Sequence, residues 1–130
     1  MKSKVIVCED DPLLQNFYKI ILSSQGYDVL VSENGDEIVE ELSKNRVSLI
    51  VMDINLRNTY LQGNKTNGLK LSRYIKETYF VSEVPVIIST AYAANEEQDS
   101  FLKESLADEI IYKPISDFRA FLQTVKFWID

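Results

Sequence analysis

Histidine is absent from this chain. That absence excludes imidazole general acid–base catalysis and histidine metal ligation, and it leaves carboxylates, which suit a hard cation, as the natural ligands. Cysteine is nearly absent: the single Cys8 permits no internal disulfide, and its apolar surroundings mark it as a small core residue. Glycine and proline are scarce, 4 and 3 in 130 residues, and no linker, repeat or low-complexity segment interrupts the chain. Positive charge is in deficit, with 14 Lys and Arg against 20 Asp and Glu and a formal net charge of −6. Such a balance argues against nucleic acid as a direct partner and against an anionic membrane surface. Long apolar segments and a signal peptide are missing too, so a cytoplasmic location is expected.

What is present is a chain of 45% apolar and 26% charged residues, the make-up of a soluble globular protein. Its length suits one cored domain over residues 1–130. Five apolar runs alternate with five helical patterns. Lys4–Cys8 reads as the first strand and is closed by Glu9-Asp10-Asp11. Asp11 with Pro12 is a helix start: a capping oxygen, then a proline where its missing N–H costs nothing. That helix carries Leu13, Leu14, Phe17, Ile20 and Ile21 and stops near Gly26. Tyr27–Val31 is the second strand, and Asn34-Gly35-Asp36 is a turn and cap for a helix with Ile38, Val39 and Leu42. Val47–Met52 is the third strand, ending abruptly on Asp53. The polar stretch Asn55–Asn67 reads as a long loop, of a length that is usually functional or mobile. Gly68–Tyr79 is a helix with Leu69, Leu71, Ile75 and Tyr79 facing inward. Val84–Thr90 is the fourth strand, with Pro85 near its start, where proline is tolerated. Ala91–Leu106 holds a helix with a thin apolar stripe of Phe101, Leu102 and Leu106. Glu109–Tyr112 is the fifth strand, followed by Lys113-Pro114. Ser116 or Asp117 caps a last helix striped by Phe118, Phe121, Leu122, Val125 and Trp128.

Buried strands rich in β-branched residues belong in a parallel sheet covered on both faces. Strict alternation with short connections implies right-handed crossovers. The expected fold class is α/β, a doubly wound (βα)5 flavodoxin-like three-layer sandwich with sheet order 2-1-3-4-5. The switch point then lies between strands 1 and 3, and chemistry collects there at the carboxyl ends. Glu9-Asp10 ends strand 1 and Asp53 ends strand 3. Three carboxylates in one cleft repel unless something neutralises them. A divalent cation is the simplest answer, and Mg2+ takes one or two carboxylates, a carbonyl and waters. Strand 4 ends in the hydroxyl of Thr90, strand 5 in the ammonium of Lys113. A metal, a hydroxyl and an ammonium suit a phosphoryl group. Singly, each residue has a plain structural explanation as a turn acid, cap, β-former or solvated cation. Their joint placement on the right strand ends points to chemistry.

Glu9-Asp10, Asp53, Thr90-Ala91 and Lys113-Pro114, with Gly26-Tyr27 and Asn34-Gly35, resemble the response-regulator receiver domains of two-component signalling. The resemblance covers essentially the whole chain. It implies Asp53 as phosphoacceptor, attacking the phosphorus of a phosphohistidine on a histidine kinase or a histidine phosphotransfer protein. It implies Asp10 as the direct Mg2+ ligand and Glu9 as a ligand through water, with Asp53 and the backbone carbonyl of Asn55 completing the set. Thr90 through its hydroxyl and Ala91 through its backbone N–H would bond phosphoryl oxygens. Lys113 would pair with the phosphoryl group and, before that, with Asp53. The family's members are signalling phosphoacceptors rather than enzymes, limited to self-phosphotransfer and slow autodephosphorylation. With the fifth helix reaching Asp130, output is expected by contact with a downstream protein, through the helix after Thr90, the fifth strand and the last helix.

Three departures from the family pattern matter. Arg57 stands where proline is usual, and Gly68 follows several residues late; the extra residues 57–67 are either a tolerated surface insertion or a segment beside the pocket that selects the partner or shields the phosphoryl group. Ile110 stands where an aromatic ring commonly turns inward as Thr90 is pulled toward the phosphoryl group. Tyr112 is near, on the opposite face from Ile111. Asn55 and Tyr92 occupy places that govern water access, and bulky Tyr92 is expected to lengthen the phosphorylated lifetime. Three rivals compete: a degenerate receiver acting as a phosphorylation-independent binding module, a Mg2+-dependent phosphohydrolase and a flavin-binding domain of the same fold. The phosphohydrolase lacks its second Asp, since Asn55 stands there, and the flavin domain lacks a glycine- and hydroxyl-rich loop after the first strand.

Overall fold

The computed structural model describes residues 2–78, 83–91 and 97–130, with the backbone alone for Glu97. In chain order the elements are β1 (Lys4–Cys8), α1 (Pro12–Ser23), β2 (Asp28–Ser32), α2 (Gly35–Lys44), β3 (Leu49–Asp53), β4 (Tyr60–Leu61), β5 (Asn64–Lys65), α3 (Gly68–Glu77), β6 (Val86–Thr90), α4 (Glu97–Ser105), β7 (Glu109–Tyr112) and α5 (Phe118–Ile129). Five of the strands form one parallel sheet in the order β2-β1-β3-β6-β7. This is the expected 2-1-3-4-5 order, the flavodoxin-like α/β arrangement, with a two-stranded hairpin added after the third strand.

Strand alternation divides the core into two layers. Val5, Val7, Leu49, Val51 and Ile87 face Tyr18 and Leu22 of α1 and Phe121 and Val125 of α5. Ile6, Ile50, Met52, Val86, Ile88 and Ile110 face Ile38 and Leu42 of α2 and Leu69, Leu71 and Ile75 of α3. Each fully buried aliphatic side chain contributes about 2 kcal/mol. Each helix cap contributes about 1 kcal/mol. The packed faces therefore hold the sheet, and the caps place the helix starts. Asp11 accepts the Leu13 N–H, Asn34 that of Glu37, Asn67 that of Lys70 and Asp117 that of Ala120. Of the two candidates for the last cap, Asp117 takes the role.

Several details differ from the sequence reading. Leu13 and Ile20 are 83% and 63% exposed, while Tyr18 and Leu22 carry the inward face of α1. At 3.6 residues per turn, positions 18 and 22 share a side from which 13 and 20 are turned away. Phe118 is 52% exposed and leans on the Phe17 ring, with centroids 5.3 Å apart. Strands β3 and β6 start later than their apolar runs, at Leu49 and Val86, and Asp53 is the last residue of β3 rather than the one after it. In α4, Phe101 and Leu102 are only half-buried; the buried residue is Ser105, whose carbonyl accepts the Ser72 hydroxyl at 2.9 Å. Leu106 lies beyond the helix. Tyr79, Tyr92 and the expected start of the fourth helix fall outside the described residues.

The largest difference is in 55–67, expected as a loop. Tyr60 pairs with Lys65 and Leu61 with Asn64 around Gln62-Gly63, both at positive φ (53° and 82°). That is the backbone of a tight hairpin turn. The hairpin is fastened to the start of α2. Buried Thr59 donates its hydroxyl to the Glu33 carbonyl at 2.7 Å, and the Gln62 N–H reaches Asp36 Oδ1 at 2.9 Å. Gly35 is required there: a Cβ would lie 2.6 Å from the Tyr60 carbonyl oxygen.

Candidate functional site

The carboxyl ends of β1, β3 and β7 open into a cavity of about 340 Å³. Asp53 lies at its base, 5% exposed. Its Oδ1 accepts the Asn55 N–H at 3.3 Å and lies 3.2 Å from Lys113 Nζ. Glu9, 1% exposed, follows β1. Its Oε1 takes Lys113 Nζ at 2.9 Å, and its Oε2 accepts the N–H groups of Asp10 and Asp11 at 3.1 and 3.2 Å. Gln15 of α1 donates to the Glu9 carbonyl at 2.6 Å, tying the first helix to the strand end. Asp10 is held from the other side, where its Oδ2 accepts the Arg57 N–H at 3.1 Å.

One oxygen each from Glu9, Asp10 and Asp53 lies within 4.8 Å of the others. Burial pushes the Glu9 carboxyl up; the hydrogen bond from Lys113 pulls it down, the Asp53 charge adds to the rise, and the net direction is upward. Burial alone would lower Lys113, but Glu9 and Asp53 outweigh it and the ammonium is held above its ordinary value. One ammonium shared between two of three carboxylates leaves the cluster short of positive charge. Below the cavity, burial raises the Cys8 thiol far above its ordinary value, with Asp53 and Glu9 adding to the effect.

Glu9, Asp10, Asp53, Asn55, Ala91 and Lys113 all line this cavity. Thr90 does not. It is fully buried at the end of β6, opposite Tyr112 in register, and its carbonyl accepts the Lys113 N–H at 2.8 Å. Ser89, opposite Asp53 in register, takes the α1/α5 side and meets the Tyr18 hydroxyl at 3.2 Å. The next residue along a strand points to the other face. Ile110 is buried, 8% exposed, in the α2/α3 layer, and Tyr112 packs on the same side with its hydroxyl donated to Gln98 of α4 at 3.1 Å. Two residues that the sequence marks only as departures from the family pattern, Arg57 and Gly68, shape the site. Arg57 lines the cavity. Gly68 is obligatory where α3 starts against the Asp53 carbonyl, because a Cβ would sit 1.8 Å from that oxygen.

The profile of the family described as "Response regulator receiver domain" matches residues 5–126. The chain belongs to that family. The polar-differentiation response regulator DivK of Brucella anthropi is 27% identical over 129 residues, 99% of this chain and 98% of that one. Among solved structures, the receiver domain of a signal transduction histidine kinase from Syntrophus aciditrophicus superposes with a TM-score of 0.77 at 27% identity, covering 98% of this chain and 89% of that one. The receiver domain of a sensor histidine kinase from Pseudomonas aeruginosa, solved with a magnesium ion in its active-site cleft, gives 0.82 at 23% identity over 99% and 98% of the two chains. As a receiver, this protein is a signalling component of two-component systems and not an enzyme in the ordinary sense. No helix among its described residues is long and apolar enough to cross a membrane.

Proposed function

We propose that Asp53 is the phosphoacceptor of this receiver, taking a phosphoryl group from the phosphohistidine of a histidine kinase or histidine phosphotransfer protein, and that phosphorylation switches its contacts with a downstream protein in the cytoplasm. The observation that carries this reading is the buried Asp53 carboxylate at the base of the cavity, bonded through one oxygen to Lys113 and to the Asn55 N–H. The Asp53 oxygen forms a bond to phosphorus while the phosphorus–nitrogen bond of the donor breaks, its electron pair staying on the imidazole. Catalysis is positioning and charge neutralisation, with the protein itself as the acceptor.

The donor set fits Mg2+: three carboxylate oxygens close together, hard ligands only, and one ammonium too few to balance them. Asp10 and Asp53 would hold the ion directly, Glu9 through water and Asn55 through its backbone carbonyl. When bound, the ion supplies charge neutralisation of the acceptor and the transferred oxygens. Lys113 then turns from Asp53 to a phosphoryl oxygen, and the Ala91 N–H bonds another. Thr90 completes the site only by leaving its buried position, so its approach is the step that couples phosphorylation to β6 and α4. Release of phosphate by water returns the domain to its resting state, a slow autodephosphorylation. Residues 1–130 act as one receiver domain.

The complete strand-end set argues against a degenerate, phosphorylation-independent binding module. A small-molecule phosphodonor with Mg2+ followed by intact-mass measurement decides between them. One phosphate adduct is expected, removed by Asp53→Asn or by chelating Mg2+. An unmodified protein, or an adduct that survives Asp53→Asn, overturns the reading.

A further inference from the structure

We propose that Arg57, in the turn that leads into the hairpin, is a second phosphoryl-binding cation of this site, contacting the phosphoryl oxygens on Asp53. The inference rests on Asp53 being the phosphoacceptor.

Charge makes the demand. Four carboxylates, Glu9, Asp10, Asp11 and Asp53, line the cavity against two cationic side chains, Arg57 and Lys113. Lys113 already serves both Glu9 and Asp53. Phosphorylation replaces the single charge of Asp53 with about two on the phosphoryl group. Among the described residues no ion pair involves the Arg57 guanidinium.

Geometry meets that demand. The Arg57 N–H on Asp10 Oδ2 at 3.1 Å anchors the backbone of residue 57 at the acidic cluster, within a side chain's length of Asp53. The residues around it are fixed: Leu56 is 4% exposed in the core, and Thr59 is fully buried with its hydroxyl on the Glu33 carbonyl. The hairpin itself is held by Gln62 on Asp36 and by Thr66 on the Thr59 carbonyl, so it owes nothing to the guanidinium. A cation with no structural duty, mounted on a rigid strap at the mouth of an anion-forming site, is placed for bidentate contact with phosphoryl oxygens.

The test separates the two charges. Mg2+ affinity is measured without anion, and beryllofluoride affinity at saturating Mg2+, for the wild type, Arg57→Ala and Arg57→Lys, with the lifetime of the phosphorylated protein alongside. All three keep the backbone N–H that holds Asp10. A cation beside a dication site repels it, so Arg57→Ala is expected to leave Mg2+ affinity unchanged or slightly tighter. The same variant is expected to weaken beryllofluoride binding by about tenfold, with a shorter phosphorylated lifetime and partial recovery in Arg57→Lys. Unchanged beryllofluoride affinity in Arg57→Ala overturns the proposal, as does an equal loss for both ligands, which is the mark of a disturbed Asp10. A wild type that binds Mg2+ but neither beryllofluoride nor phosphate overturns the phosphoacceptor reading, and this inference with it.

Discussion

The two flanks of the cavity are built differently. On the β1/β3/β7 side, buried Glu9 and Asp53 are locked to half-buried Lys113, and the strands beneath them pack against α1 and α5 through Tyr18, Leu22, Phe121 and Val125. On the β6/α4 side, Thr90 is fully buried and does not line the cavity. Within α4, Phe101 and Leu102 are half-buried, and among the described side chains the buried one is Ser105. Segments with few buried apolar contacts open at low cost. The rigid flank therefore supplies the chemistry, and the weakly anchored flank supplies the movement. A receiver needs both, because phosphorylation can shift only an equilibrium whose two states lie within a few kcal/mol of each other.

The sharpest way to break this comparison is at Lys113. Removing the ammonium leaves Glu9 and Asp53 buried and uncompensated, and breaking such a pair from one side costs about 3 kcal/mol. Lys113→Ala is expected to lose stability of that order in denaturant unfolding without metal, and to recover part of it in Mg2+. A loss below about 1 kcal/mol is what an exposed pair gives, and it would deny that this flank is locked.

Metal addition comes next. A cation that binds only the folded cluster stabilises by about 2.7 kcal/mol at a hundredfold excess over its Kd. Thermal unfolding with and without Mg2+ should register this for the wild type and show little of it for Asp10→Asn. The gain has a defined pH sense. The Glu9 carboxyl is held above its ordinary value by burial. Its contribution to the metal-free fold is present below the ordinary carboxylate range and lost as pH rises through the raised value. The metal needs the ionised carboxylate. The Mg2+-dependent gain should therefore grow across the same rise, and a gain that shrinks there would place the ion elsewhere.

How far the sequence disclosed these two flanks follows from what each is made of. Central parallel strands are apolar throughout, so β1, β3 and β6 are legible as unbroken runs, and the acids that end β1 and β3 mark the rigid flank without help from the structure. The inward side of α1 is harder to read because a tyrosine, Tyr18, with its polar tip satisfied by Ser89, is fully buried while Ile20 is 63% exposed. The hairpin was obscured because strands of two residues have no readable period, and Gln62-Gly63 lacks the Asn-Gly signature of a tight turn. Thr90 is legible as a strand-end hydroxyl, but which face it takes depends on the register that sets Ser89 against Asp53 and Thr90 against Tyr112, and that is a property of the assembled sheet.

The smallest expected effect tests the movable flank. Tyr112 sits on the side of the sheet where Ile110 replaces the family's usual aromatic, opposite Thr90 in register, and its hydroxyl holds Gln98 of α4. Tyr112→Phe keeps the ring and deletes that tether. A neutral side-chain hydrogen bond of this kind contributes about 0.5–1 kcal/mol. Global stability should therefore fall by no more than that, while hydrogen exchange should accelerate in α4 and leave β1 and β3 unchanged. If the tether opposes the movement of Thr90, the variant should also bind beryllofluoride slightly tighter, because less has to be broken to reach the bound state. Faster exchange spread evenly over both flanks would mean that α4 and the strands open as one unit, and the division of the cavity into a fixed and a movable side would fail.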